Sequence, residues 1–173
     1  MNKNIKIIDN FLNKNDFNNI RDEILSCNFP WYISEYSDYS KDKNPQLYHI
    51  FYLNNLPNSD YFKILQPIYD KLNIFSLFKV RLIATMKYDG TDNKFHTDLE
   101  NIGLLETCAT AVFYLNSNDG GTQFEFDNKI VKSEANRMLI FNSTLKHRTI
   151  KHKTDMPFRY VINLNYIGIN NDT

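Results

Sequence analysis

Phe158-Arg159-Tyr160-Val161-Ile162-Asn163-Leu164-Asn165-Tyr166 alternates in character with a period of two. Successive side chains of a strand point to opposite faces, so Arg159, Val161, Asn163 and Asn165 share one face and Tyr160, Ile162, Leu164 and Tyr166 the other. The second set is apolar enough to pack outward against helices. An arginine then points into the space the sheet encloses, where its planar fork needs a carboxylate to pair with. Upstream of this strand the same texture repeats: 79–88, 107–116, 123–126, 130–132, 137–142 and about 147–152 read as strands. Asp119-Gly120-Gly121 and Asp127-Asn128 punctuate them as turns. On the strand 107–116, Cys108, Thr110, Val112 and Tyr114 share a face whose small side chains leave room for a ligand.

The N-terminal third carries the helices. Ile5, Ile7 and Ile8 predict a short strand; Asn15 can cap a helix whose Phe17, Ile20, Ile24 and Leu25 recur at helical spacing. A second helix is expected from Ser59, with Phe62, Leu65, Ile68, Tyr69 and Leu72 on one face and Pro67 kinking or restarting it. Between them lie Phe29-Pro30-Trp31-Tyr32, a polar Tyr-rich stretch, and a strand over 46–52. Late helices are missing from the pattern, so the expected fold is mainly β: a double-stranded β-helix, or jelly roll, with supporting N-terminal α-helices. We expect one domain over 1–173, in which 1–78 packs on a β-helix core at 79–167.

Composition narrows the chemistry. The 173 residues include 20 Lys+Arg against 20 Asp+Glu, so bulk electrostatic capture of nucleic acid or membrane is not expected. Two cysteines, Cys27 and Cys108, cannot build a disulfide framework; Met1-Asn2-Lys3-Asn4-Ile5-Lys6 lacks an apolar signal run, so no leader is expected, and no run of about 20 apolar residues occurs in the sequence. A cytoplasmic protein without a membrane partner is the expectation. About one residue in seven is Asn, a bias that reads as compositional rather than chemical. Any imidazole chemistry must draw on four histidines: His49, His96, His147 and His152.

His96-Thr97-Asp98 follows a turn-rich loop, and His147 lies about fifty residues on. In extended chain, residues i and i+2 share a face, so His96 and Asp98 can grip one metal ion while His147 arrives from another strand. Two imidazoles and one carboxylate on one side leave the opposite coordination positions open, as in non-haem Fe(II) oxygenases. Alone, such a tripeptide also fits a solvated polar turn; Arg159 on its inward face raises the case for a site.

These residues resemble the Fe(II)- and 2-oxoglutarate-dependent oxygenases, and among them the prolyl-4-hydroxylase-like group. The resemblance rests, in order, on Met86-Lys87-Tyr88-Asp89-Gly90 before His96-Thr97-Asp98, on Ala111-Val112-Phe113-Tyr114-Leu115-Asn116, on Gly120-Gly121-Thr122, on Asn136-Arg137-Met138-Leu139-Ile140-Phe141 leading to His147, and on Arg159 to Tyr166. It implies that His96, Asp98 and His147 bind Fe(II), and that Arg159 binds the distal carboxylate of 2-oxoglutarate with Tyr114 sharing it. Tyr88 would line the co-substrate pocket, and Asn163 stands where relatives carry a threonine that assists the arginine. The implied reaction couples decarboxylation of 2-oxoglutarate to succinate with hydroxylation of a C–H bond, ascorbate serving as reductant. A peptide or protein side chain such as proline is the implied substrate. Nucleobase demethylation and a non-catalytic jelly-roll binding module are the alternatives.

Other residues carry two readings. His49 fits a structural place in a strand, and Trp31 either the core or a groove wall. The stretch 32–42 is a lid or a plain loop. The segment 129–159 holds eight Lys/Arg against Glu134 and Asp155, about +6, leaving about −6 elsewhere. Within it Lys146, Arg148, Lys151, His152 and Lys153 flank His147. They read either as a steering patch for anions or as a guarded edge strand.

Overall fold

The computed structural model describes residues 5–36, 45–87, 93–99 and 107–168. In chain order the elements are β1 (Ile5–Ile8), α1 (Lys14–Ile24), β2 (Tyr32–Ser34), β3 (Gln46–Leu53), β4 (Leu56–Pro57), a 3-10 helix (Asp60–Leu65), α2 (Gln66–Lys71), β5 (Ile74–Met86), β6 (Ala109–Tyr114), β7 (Gly121–Phe124), β8 (Ile130–Lys132), β9 (Arg137–Asn142), β10 (His147–Ile150) and β11 (Phe158–Gly168). A large antiparallel sheet runs β1-β9-β6-β11-β5-β3-β2, with β4 on β3, and a small sheet runs β10-β7-β8. This is the jelly roll that the alternation predicts, with helices on one side only.

The alternation of β11 explains both layers. Ile162, Leu164 and Tyr166 turn outward into a cluster with Phe17, Ile20 and Ile24 of α1, Leu65, and Ile68 of α2. Val161 turns inward, where it meets Val112, Phe124, Leu139 and Phe141 between the sheets. Each fully buried apolar side chain of this kind contributes about 1.5–3 kcal/mol. Among the described residues no helix is long and apolar enough to cross a membrane.

Several boundaries differ from expectation. Asn13, not Asn15, caps α1: its side chain accepts the Asp16 N–H at 3.0 Å. Leu25 then falls on the C-cap and is exposed rather than buried. Ser59 caps the 3-10 helix and Pro67 sits in the first turn of α2, so the proline restarts the helix, at a position where its missing N–H costs nothing. β5 begins at Ile74, earlier than 79, because β11 runs on to Gly168 and pairs with it through two register irregularities. β7 begins at Gly121, inside the expected turn. A Cβ there would lie 2.4 Å from the Val131 carbonyl, so only glycine lets β8 pair this closely. The short strands β2 and β4 carried no periodic signal.

The asparagine excess has a structural use. Every described non-glycine residue with positive φ is an asparagine: Asn10, Asn54, Asn55, Asn73, Asn128 and Asn136. With five glycines in the chain, asparagine takes the left-handed turn positions, which it tolerates better than other side-chain-bearing residues. Asn136 does more, donating its amide to the Leu12 carbonyl at 2.8 Å and accepting the Leu12 N–H at 2.9 Å, which ties the approach to α1 onto the barrel.

Candidate metal centre

Between the sheets lies a cavity of about 510 Å³. Its inner wall comes from alternate residues of β11 and β5, which pair Arg159 with Thr85, Val161 with Ile83 and Asn163 with Arg81. Thr122 of β7 and His147 and Thr149 of β10 face them from the small sheet. His96 is not in a regular strand. It forms an isolated antiparallel bridge to His147, with backbone hydrogen bonds of 3.0 and 2.9 Å, and so lengthens the small sheet by one residue. Asp98 follows in a bend. The bridge, rather than the i, i+2 rule alone, brings the two histidines together.

His96, Asp98 and His147 can each offer one ligand atom, all within 4.8 Å of one another. The Nε2 atoms of His96 and His147 stand 3.7 and 3.6 Å from the two Asp98 carboxylate oxygens. Each Nδ1 lies 3.1 Å from a backbone carbonyl, of Lys94 for His96 and of Leu145 for His147. A carbonyl only accepts, so in the neutral rings Nδ1 carries the proton and Nε2 presents its lone pair to the shared space. Burial alone would raise the Asp98 carboxyl. When the two rings are protonated, the charge of His147 and the hydrogen bond and charge of His96, together with the Asn163 amide, overcome it and hold Asp98 well below the usual carboxylate range. Asn163 donates to Asp98 Oδ2 at 2.8 Å, and Asn165, fully buried, reaches the same oxygen at 3.4 Å while donating to Thr110 Oγ1 at 3.1 Å.

At the closed end sits Arg159, 1% exposed. Its Nε–H donates to Ser133 Oγ at 2.9 Å, an Nη–H donates to Thr122 Oγ1 at 3.4 Å, and the guanidinium lies 5.4 Å from the centre of the Tyr114 ring. The Tyr114 hydroxyl donates to Thr122 Oγ1 at 2.9 Å. Burial pulls the Arg159 guanidinium below its usual value, opposed by Tyr114, while burial raises the Tyr114 phenol, opposed by Arg159 and Thr122. Among the described residues no carboxylate pairs with Arg159; its partners are hydroxyls and a ring. A buried cation so placed is costly unless an anion joins it.

The remaining expectations resolve as follows. Asn163 lines the cavity but hydrogen-bonds Asp98, not Arg159. Tyr88 lies outside the described residues. Of the stretch 32–42, residues 37–42 also lie outside them, while Ile33, Ser34 and Tyr36 line the cavity mouth and Tyr32–Ser34 form β2. His49 is buried, with Nδ1–H donating to the Pro30 carbonyl at 2.8 Å amid Phe29, Phe51 and Tyr61, as the structural reading has it. Trp31 packs on Phe29 and Tyr160 at the core. His152 is fully buried and bonded to the Met156 carbonyl. Lys146 lies 3.8 Å from Glu125, and Arg148 bonds Gln123 and covers the Phe95 ring. Among the described residues, the Lys and Arg that line the cavity besides Arg159 are Lys79 and Arg81 of β5, which sequence reasoning missed. Their signal was available in the alternation of Lys79, Arg81, Ile83 and Thr85 against Val80, Leu82 and Ala84.

Two imidazoles and a carboxylate opening onto a cavity, with a buried cation in the same cavity inside a jelly roll, make the donor set that suits a non-haem iron oxygenase centre. The chain matches the family model of the 2OG-Fe(II) oxygenase superfamily over residues 83–167. It is an enzyme of that class, requiring Fe(II) and 2-oxoglutarate. Three solved structures illustrate the shared fold. A prolyl hydroxylase from Trichoplax adhaerens, in complex with a peptide fragment of the hypoxia inducible factor oxygen degradation domain, is 17% identical with a TM-score of 0.66, covering 96% of this chain and 84% of that one. A prolyl-4-hydroxylase from Pseudomonas putida is 12% identical with a TM-score of 0.57, covering 98% and 95%. The alpha-ketoglutarate-dependent epimerase SnoN of nogalamycin biosynthesis is 13% identical with a TM-score of 0.67, covering 96% and 78%. No curated protein sequence matches the chain.

Proposed function

We propose that this oxygenase hydroxylates a C–H bond of a peptide or protein side chain, proline foremost. In this reading His96, Asp98 and His147 bind the iron, and Arg159 and the Tyr114 hydroxyl hold the distal carboxylate of 2-oxoglutarate. The observation that carries it is the buried Arg159, paired with hydroxyls and a ring but no described acid, at the closed end of the cavity that His96, Asp98 and His147 line. Bound Fe(II) and keto acid supply the oxidising power, drawn from O₂ as the keto acid loses CO₂. The protein's part is orientation. The Lys94 and Leu145 carbonyls set the rotation of the two imidazoles, and Asn163 with Asn165 holds one oxygen of Asp98 in place. Val112, Val161 and Ile83 give the cavity an apolar wall that limits water near the reacting bond. Two of the folds it shares belong to prolyl hydroxylases, one seen with a peptide, which supports the peptide substrate.

The test is succinate formation from 2-oxoglutarate with Fe(II), O₂ and ascorbate, together with mass spectrometry of proline-containing peptides for a +16 Da product. Wild type forms succinate; His96→Ala, Asp98→Ala and His147→Ala each lose Fe(II) affinity and at least about a hundredfold of turnover. Equal iron binding and turnover in all four proteins would remove the ligand assignment. A +16 Da mass on nucleobases or small metabolites, and none on peptides, would replace the substrate class.

A further inference from the structure

The cavity wall built by β5 and β11 contains a hydroxyl that the described protein leaves unsatisfied. Thr85 of β5 lines the cavity, and its Oγ1 is shut off from water with no hydrogen-bond partner among the described residues. A buried hydroxyl in that state carries a desolvation cost that a partner would remove, so it calls for a physical reason. The side chains of His49, Tyr69 and His152 also hold a buried atom without a partner, but none of the three lines the cavity.

Register fixes what Thr85 stands beside. It is the partner of Arg159 across the antiparallel pair of β5 and β11, and both line the cavity, so their Cβ atoms lie about 5 Å apart on one face. Val161 and Asn163 follow Arg159 along that face, and Asn163 is the residue bonded to Asp98 at 2.8 Å. Thr85 is therefore level with Arg159, removed from the metal-ligating end. The other hydroxyls around the guanidinium are engaged. Ser133 Oγ and Thr122 Oγ1 accept from Arg159, and the Tyr114 hydroxyl gives its proton to Thr122. Thr85 keeps a proton with no acceptor, on a β-branched side chain whose rotation is restricted.

We propose that Thr85 is a further binding residue for the co-substrate, its hydroxyl donating to the distal carboxylate of 2-oxoglutarate beside the Arg159 guanidinium. The inference rests on the reading of the site as an iron and 2-oxoglutarate centre, and it adds a contact from a strand other than those of Arg159 and Tyr114. Buried donors on two neighbouring strands select a carboxylate over an apolar end of similar size, because the apolar end leaves both donors unpaired. The unsatisfied hydroxyl also gives the test a distinctive sign. In the ligand-free enzyme Thr85→Val puts a methyl where the hydroxyl had no partner, so the fold is not weakened, whereas co-substrate binding loses a donor.

The experiment compares wild type, Thr85→Val and Thr85→Ser. It measures the thermal midpoint without ligand, and 2-oxoglutarate binding by isothermal titration of the Fe(II)-loaded enzyme without oxygen. Thr85→Val is expected to hold or raise the midpoint and to bind 2-oxoglutarate about tenfold or more weakly, while Thr85→Ser stays within about threefold of wild type. Oxalate, a chelator too short to own a distal carboxylate, should bind wild type and Thr85→Val alike. An unchanged 2-oxoglutarate affinity in Thr85→Val overturns the inference, as does a Thr85→Ser protein that binds as weakly as Thr85→Val. A midpoint that falls along with the affinity assigns Thr85 to packing, and an equal loss for oxalate puts it beside the metal; either result overturns the distal contact. No 2-oxoglutarate binding by wild type sinks the functional reading itself, whereas normal wild-type binding that Thr85→Val leaves intact sinks the threonine contact alone.

Discussion

Arg159 concentrates the chemistry of the closed end in one side chain. Its Nε–H is spent on Ser133 and one Nη–H reaches Thr122, so in the proposed reading a fixed fork has its other N–H groups for the distal carboxylate of 2-oxoglutarate. Arg159→Lys keeps the charge but loses that fork, and we expect the KM for 2-oxoglutarate to rise by about tenfold or more with a smaller change in kcat. Steady-state succinate assays check this; an unchanged KM would place the co-substrate elsewhere. Asn136 shows a different residue-scale effect. It sits at φ 63° and makes two buried hydrogen bonds to Leu12. Asn136→Ala loses both bonds and strains the backbone, at a cost of about 2–4 kcal/mol in denaturant unfolding. Asn136→Gly loses the bonds alone and should be about 1 kcal/mol milder. Equal losses would show that backbone strain plays no part there. The inward placement of Arg159 was legible because alternation gives a strand residue its face. The role of Asn163 was not, since its partner Asp98 lies in a bend 65 residues away and only the folded chain brings them to 2.8 Å.

Among the elements, β7 links fold to site. It lies between β8 and β10, pairing Gly121 with both Lys132 and Ile150, and carries Thr122, which accepts from Tyr114 and Arg159. A Cβ on Gly121 meets backbone, not a flexible side chain, so β8 has to move away. Gly121→Ala is expected to lower stability by about 1–3 kcal/mol and to weaken 2-oxoglutarate binding through the displaced Thr122. Chemical denaturation and co-substrate titration read the two effects, and a fully stable variant with normal co-substrate affinity would mean the strands give way freely. Strand β11 could be read from the sequence because its alternation is strong, and β8 and β9 because short apolar runs lie between turn signals. The start of β7 could not, since a glycine pair signals a turn by propensity and serves a strand here only because a neighbour's carbonyl crowds it.

At the level of the whole molecule, pH acts on stability through His49 as well as through the site. Burial lowers its pKa below the ordinary 6.5, against the raising effect of its bond to Pro30. The folded protein keeps it neutral while the unfolded chain takes up a proton as pH falls through 6.5, so its contribution is intact above that pH and is lost as pH drops toward the folded value. Thermal midpoints should fall between about pH 7 and pH 5.5, and His49→Gln, which keeps a donor for Pro30 but does not titrate, should fall less. Parallel curves for the two proteins would acquit His49. The sequence by itself determined the class of fold, the outward and inward faces of β11, and the candidate metal-ligating residues with their order along the chain, because strand periodicity and side-chain chemistry are local properties. Only the tertiary structure decided which cations reach the cavity. The basic run around His147 looked the stronger candidate by charge count, yet Arg148 and Lys146 find Gln123, Phe95 and Glu125, whereas Lys79 and Arg81 line the cavity. Charge density is read along a chain, but a binding wall is assembled by register between strands, and the pairing of β5 with β11 spans about eighty residues.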